Sequence, residues 1–191
     1  MFPLNQGATP TQILQGIADG TLPSPSRKLY LTHTRRTLMC EGVRVDEEQL
    51  RSSAQRAPEG KMFVYECHWH KEGSAPCGLW VEGLKISMGR HLQDWHDVSI
   101  AGKQKISCLW GKCNKEMNEE SIARHVGSDA HLSIKYVCST CNVEFAREDA
   151  FQRHRETVAG TACRTATATI LHTGRNVRVI DSRTAFGPSA A

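Results

Sequence analysis

Residues 136–154 read YVCSTCNVEFAREDAFQRH and contain the pattern that decides the fold. Two cysteines, Cys138 and Cys141, precede His154, and three large apolar residues accompany them at fixed offsets: Tyr136, Phe145 and Phe151. Thiolate sulfur and imidazole nitrogen are the ligands that tetrahedral zinc prefers. Because a unit of about thirty residues needs a metal as well as a small apolar core, this stretch predicts a structural zinc site.

The same ligand types recur twice upstream, each time as two cysteines followed by two histidines. The first set is Cys67, Cys77, His91 and His96, and the second set is Cys108, Cys113, His125 and His131. An apolar residue stands three positions before the first histidine of each set, Met88 in one and Ile122 in the other. The recurrence predicts three structural zinc ions, and therefore a protein that recognises rather than catalyses.

Composition agrees with a chain that relies on metal. The 191 residues are 39% hydrophobic and 6% aromatic, with a mean hydropathy of -0.43, which is poor material for one large core. Seven of the eight cysteines fall in register with histidines, and no apolar leader is evident, so we expect a reducing compartment rather than disulfides. No apolar run approaches the ~18 residues of a membrane span, so we expect no membrane partner.

The stretch 136–154 closely resembles the C2H2-type zinc finger family, which implies a ββα unit. The family expects a second histidine soon after His154, but residues 157–160 contain none. The best candidate for the fourth ligand is Cys163, because a glycine-containing loop could carry it back to the metal. His172 is a poorer alternative, since it lies in a segment expected to be flexible.

The same resemblance implies which residues would face DNA. If His154 is a ligand, the helix begins near Glu148, and Arg147 and Arg153 would reach base edges with Ala150 between them. Arginine suits guanine because its fork can pair with O6 and N7 together. Asp149 could hold the Arg147 guanidinium in position. The alternative is that these charges form an ordinary solvated helix face.

A tryptophan follows the first cysteine by two positions in both upstream sets. Trp69 occurs in CHW and Trp110 in CLW, and two such side chains in adjacent units could bury each other. This arrangement resembles the tandem tryptophan-containing fingers of the Gli and Zic type, in which two fingers pack as one block. The resemblance covers roughly residues 65–131 and implies inter-finger packing through these tryptophans.

These patterns divide the chain into five segments. We expect a mostly disordered leader at 1–60, zinc finger 1 at 61–100, finger 2 packed on it at 101–134, finger 3 at 135–163, and a flexible basic tail at 164–191. A weak helix over 11–18 is expected in the leader. Strands near Ile170 and over 177–180 would form only if another element supplied a sheet edge. The expected fold class is a small metal-stabilised α+β protein with three tandem ββα fingers between largely disordered ends.

Charge distribution leaves two functions open. Between residues 61 and 163, thirteen Lys and Arg residues balance thirteen Asp and Glu residues, so three fingers following one duplex are not expected. The leading hypothesis is a nuclear, zinc-binding regulator of transcription in which finger 3 contacts duplex DNA and fingers 1 and 2 form a structural or protein-contact block. The alternative is a zinc-stabilised adaptor for protein or RNA. An enzyme with a small-molecule substrate is not expected, because four protein ligands leave no position for an activated water.

Overall fold

The computed structural model describes residues 36–56, 59–70, 73–157 and 162–186. The strands are β1 (Thr37–Cys40), β2 (Val43–Asp46), β3 (Lys61–Glu66), β4 (Trp80–Glu82), β5 (Lys105–Ser107), β6 (Glu116–Asn118), β7 (Ile134–Cys138), β8 (Glu144–Phe145), β9 (Ala168–His172) and β10 (Val177–Asp181). The helices are α1 (Glu47–Arg56), α2 (Lys85–His96), α3 (Glu119–Gly127) and α4 (Glu148–Thr157), with short 3₁₀ turns at Ala162–Thr165 and Ser182–Phe186. The described residues therefore form a small α+β protein.

The largest sheet of the described residues has the strand order β1-β2-β4-β3-β10. Strands β3 and β4 pair antiparallel at its centre, β10 adds antiparallel to β3, and β2 adds parallel to β4 through Val45 and Trp80. Asp46 is the last residue of β2, which pairs antiparallel with β1, and it caps the helix α1 that follows. Its Oδ1 accepts hydrogen bonds from the amides of Glu48 at 2.9 Å and Gln49 at 3.2 Å. The sheet thus joins residues from both ends of the described chain.

Two smaller sheets follow. Strands β5 and β6 form an antiparallel hairpin directly before α3, and β7 lies between β8 and β9 in a three-stranded sheet next to α4. In the latter sheet β9 pairs with β7 over its whole length, from Ile134 opposite His172 to Cys138 opposite Ala168. The C-terminal segment therefore contributes one strand to the third Cys/His unit and one to the first.

The structure differs from the mostly disordered ends that the sequence predicted, while the conditional strands near Ile170 and over 177–180 do form, on edges supplied by β7 and β3. Residues 37–56 form a hairpin and a helix, and residues 168–181 form two strands. The physical reason is that the central hairpin has two open edges, and β2 and β10 cover them. The leader's Val43, Val45 and Leu50 then share a core with Met62 and Ile180, all at most 2% exposed. The helix expected over 11–18 lies outside the described residues.

Two further cores surround the Cys/His units. The larger one combines side chains of the first two units, including Trp69, Met88, Trp110 and Ile122, and the smaller one surrounds Phe151. The first two units thus share one core rather than having one each. None of the helices in the described part of the chain has the length and apolar character needed to cross a membrane.

Candidate metal centres

The predicted ligands come together in three clusters within the described residues. They are Cys67, Cys77, His91 and His96; Cys108, Cys113, His125 and His131; and Cys138, Cys141, His154 and Cys163. In each cluster the sulfur and nitrogen atoms that would bind a metal all lie within 4.8 Å of one another. The structure therefore assembles three sites that could each hold a metal ion.

Distances within the clusters fit tetrahedral zinc. Zn–S bonds of about 2.3 Å and Zn–N bonds of about 2.0–2.1 Å would set neighbouring ligand atoms about 3.3–3.8 Å apart. In the first cluster His96 Nε2 lies 3.3 Å from Cys67 Sγ, and His91 Nε2 lies 3.8 Å from Cys77 Sγ. The corresponding separations in the other two clusters are 3.2–3.6 Å. Soft sulfur and imidazole donors at this spacing are compatible with zinc.

The first cluster is set into the large sheet. Cys67 follows β3, and its amide donates to Leu79 O at 2.9 Å, which brings the segment of Cys77 alongside. His91 lies within α2 and is 1% exposed, and its Nδ1 has no hydrogen-bond partner among the described residues. Burial lowers the pKa of His91, which keeps the imidazole in the neutral form that binds metal. Contact with the Cys77 thiol, together with burial, raises the pKa of Cys67, so two thiolates here require a compensating cation.

The second cluster is built on a tight turn and one helix. The Cys108 amide donates to Lys115 O at 2.9 Å and the Asn114 amide to Cys108 O at 3.0 Å, which closes the turn that carries Cys113. Asn114 has a φ of 53°, a left-handed conformation that asparagine adopts readily. Burial also lowers the pKa of His131, to about 4, so its ring is neutral near pH 7.

The third cluster settles the choice between Cys163 and His172. Cys163 lies in the 3₁₀ turn after α4, is 6% exposed, and joins Cys138, Cys141 and His154. Backbone amides of Cys141 and Thr140 lower the pKa of Cys138 to about 6, which favours its thiolate. His172 lies elsewhere: its Nδ1 is 3.0 Å from the Tyr65 hydroxyl, and its ring stacks on Phe63 with centroids 4.1 Å apart.

The two tryptophans lie at the contact between the first two units. Trp69 and Trp110 form an antiparallel backbone bridge, and both side chains are buried in the larger core. The amide of His70 donates to Leu109 O at 3.3 Å, and that of Gly111 donates to His68 O at 3.0 Å. The two cysteine turns are therefore joined by main-chain hydrogen bonds as well as by apolar packing.

The residues expected to face DNA lie at the start of α4. Asp149 lies between two arginines: its Oδ1 is 3.8 Å from Arg147 Nε, and its Oδ2 is 3.4 Å from Arg153 Nη2. The side chains of Arg147 and Arg153 are 43% and 63% exposed, and Ala150 is half-buried. The helix starts at Glu148, so Arg147 lies directly before it and Arg153 is its sixth residue.

Two features of this region could not be predicted from the sequence. Lys85 at the start of α2 and Arg124 on α3 line the same cleft of about 240 Å³ as Arg147, together with Glu148 and Asp149. An apolar groove also runs between α2 and α3. Neither feature has a signal along the chain, because each combines side chains from helices that only the packing of the three units brings together.

Comparison of the chain with protein-family models, with curated proteins and with solved structures found no match in any of the three. The functional assignment therefore depends on the geometry of the sites themselves.

Proposed function

We propose that this chain is a zinc-dependent, non-enzymatic nuclear protein of the C2H2 type that regulates transcription by binding duplex DNA. In this proposal its units at 61–100, 101–134 and 135–163 are three tandem ββα fingers, and the third reads the bases. The observation that carries the proposal is the pair of exposed arginines, Arg147 and Arg153, placed on either side of one carboxylate at the start of α4.

The arrangement suits base recognition for an electrostatic reason. Asp149 lies within 3.8 Å of both guanidinium groups and would favour orientations near its carboxylate, while both arginine side chains stay largely exposed to a partner. A guanidinium held in this way can donate two hydrogen bonds to guanine O6 and N7. We expect a G-N-G preference, with Arg153 at the 5′ guanine, Arg147 at the 3′ guanine, and only a methyl contact from Ala150 between them.

The cleft beside Arg147 adds positively charged side chains to the proposed DNA-binding surface. Lys85 and Arg124 carry positive charge from the first and second units towards Arg147. A phosphate of the DNA backbone beside the third finger would contact these two side chains, although Glu148 and Asp149 in the same cleft reduce the net positive charge. Affinity should therefore be modest and fall steeply with salt.

Zinc has a structural role in this proposal. Each cluster supplies four protein ligands, which fill the tetrahedral shell, and a bound ion would supply cross-linking rather than an activated water. The residues of the chain perform the recognition. In the third unit Cys141 and His154 anchor the two ends of the segment that presents Arg147 and Asp149, so the metal would fix the orientation of α4.

A specific observation favours the adaptor as the second candidate. The first turn of α2 is unsuited to DNA: its Ile86 is apolar and 59% exposed, and its Ser87 is buried with the hydroxyl hydrogen-bonded to Glu82. On α3, Glu120 is exposed and would repel phosphate. The first two units therefore suit contact with protein, either beside a DNA-binding third finger or without one.

The test is selection of bound sequences from a random duplex library with the zinc-loaded full chain. The Arg147→Ala and Arg153→Ala variants should each lose the preference for one guanine, a loss of about 1–3 kcal/mol in discrimination. Arg51→Ala is the matched control, because Arg51 is an exposed helical arginine paired with Glu47 on α1. Binding without sequence preference, or an unchanged preference in the double variant, would favour the adaptor.

A further inference from the structure

An apolar groove of about 600 Å³ lies between α2 and α3. Ile86 and Ile100 on its walls are 59% and 52% exposed and line the same groove. Leu92 and Val98 lie at its base and belong to the buried core of the first two units. The groove is therefore a continuation of that core to the surface.

Gly89 marks a place in the groove where α2 approaches Ile100 and α3 closely. A Cβ atom at this position would lie 3.2 Å from Ile100 Cγ2 and 3.6 Å from the Ala123 Cβ. The two helices thus approach closely where Gly89 of α2 faces Ala123 of α3. A channel between two packed helices accepts the side-chain ridge of a third helix.

The charge around the groove has one dominant sign. Three carboxylates line it, those of Glu119, Glu120 and Glu148, against the single ammonium of Lys85. Glu119 is engaged locally, with its carboxylate 3.5 Å from the Ser99 amide. Glu120 and Glu148 are exposed and make no ion pair with the residues that the structure describes. Glu120 stands in the first turn of α3 and Glu148 in the first turn of α4, and both line the groove.

We propose that this groove binds an amphipathic helix of a partner protein that carries Lys or Arg beside its apolar residues. The inference rests on the proposed protein-contact role of the first two units. Apolar side chains at i, i+3 or i+4, and i+7 of the partner would cover Ile86 and Ile100, and its cations would pair with Glu120 and Glu148. Nucleic acid does not fit over Ile86 and Ile100, because its phosphates would lie against apolar side chains and Glu120, whereas the proposed phosphate contact of Lys85 and Arg124 is in the neighbouring cleft. In a symmetric contact with a second copy the acidic rims would face each other.

The experiment uses the zinc-loaded full chain as bait for a peptide display library. Each peptide of the library has the same helical scaffold, and its surface positions are randomised. Enriched sequences should combine helically spaced apolar residues with flanking Lys or Arg. For the best peptide, Ile86→Ser, Ile100→Ser and Glu120→Lys should each weaken binding by about tenfold or more. Controls are Val179→Ser, which alters a half-exposed apolar residue of β10, and Glu116→Lys, which alters an exposed acid of β6. Both should leave affinity unchanged.

Several results would overturn the inference. They are a failure to enrich any helix, enrichment of acidic rather than basic flanks, and equal affinity in the groove variants and their controls. Sedimentation showing a dimer that Ile86→Ser dissociates would assign the groove to a second copy instead. DNA selection with Ile86→Ser distinguishes the two proposals, because Ile86 lines the groove and not the neighbouring cleft. An unchanged G-N-G preference together with lost peptide binding would show that the two activities depend on different residues, and failure of either assay alone refutes only its own proposal.

Discussion

Replacing Ile180 by alanine measures how much the C-terminal segment contributes to the large sheet. Ile180 lies on β10 opposite Met62 of β3, is 2% exposed, and belongs to the core that contains Leu50. The substitution removes three carbons from a buried position, a transfer loss of about 2.4 kcal/mol at about 0.8 kcal/mol per carbon. The cavity left behind adds to this loss, so we expect a total of about 2.5–4 kcal/mol.

The matched control is the preceding residue on the same strand. Val179 is 50% exposed because neighbouring side chains of a strand point to opposite faces, and Val179→Ala should change the unfolding free energy by less than about 0.5–1 kcal/mol. Urea unfolding followed by circular dichroism at a fixed free zinc concentration gives both values, since bound metal also shifts stability. Equal effects of the two substitutions would refute the pairing of β10 with β3.

Three further predictions follow from the metal centres and the contacts between units. Elemental analysis should return close to three zinc ions per reduced chain. Cys163→Ser should lower this number towards two, and His172→Phe should leave it unchanged. Loss of a zinc ion in the His172→Phe variant would contradict the ligand assignment. Trp69→Ala and Trp110→Ala should each destabilise the first two units, and the double variant should cost clearly less than their sum; full additivity in urea unfolding would indicate independent units. Burial lowers the pKa of His172 to about 4, below its ordinary value of 6.5. Between pH 6.5 and 4 the unfolded chain therefore binds a proton at His172 that the folded chain does not, so the contribution of the neutral, buried ring to stability is present above pH 6.5 and is lost in that range. His172→Phe should therefore reduce the acid sensitivity of the unfolding free energy in that range, and an unchanged pH dependence at fixed free zinc would count against this contribution.

The metal clusters could be predicted from the chain alone because metal ligation constrains residue type and spacing strongly. Cysteines and histidines at short, repeated intervals can meet only on hairpins and the helices that follow them, as Cys108, Cys113 and His125 do. Cys163 could also be ranked above His172, although the reason was wrong: His172 lies in the paired strand β9 and not in a flexible segment. Whether the three units are tandem ββα fingers and whether the third reads DNA stay predictions.

Only the tertiary structure decided the large sheet and the groove. Strands β1, β2 and β10 have four or five residues each, and their pairing depends on edges supplied by β3 and β4. Short strands carry too little pattern of their own to predict that residues 37–46 and 177–181 join one sheet, because the free energy of pairing comes from the core they complete together. The same reason applies to Ile86 and Ile100: their exposure is a property of how two helices cross, which local spacing does not determine.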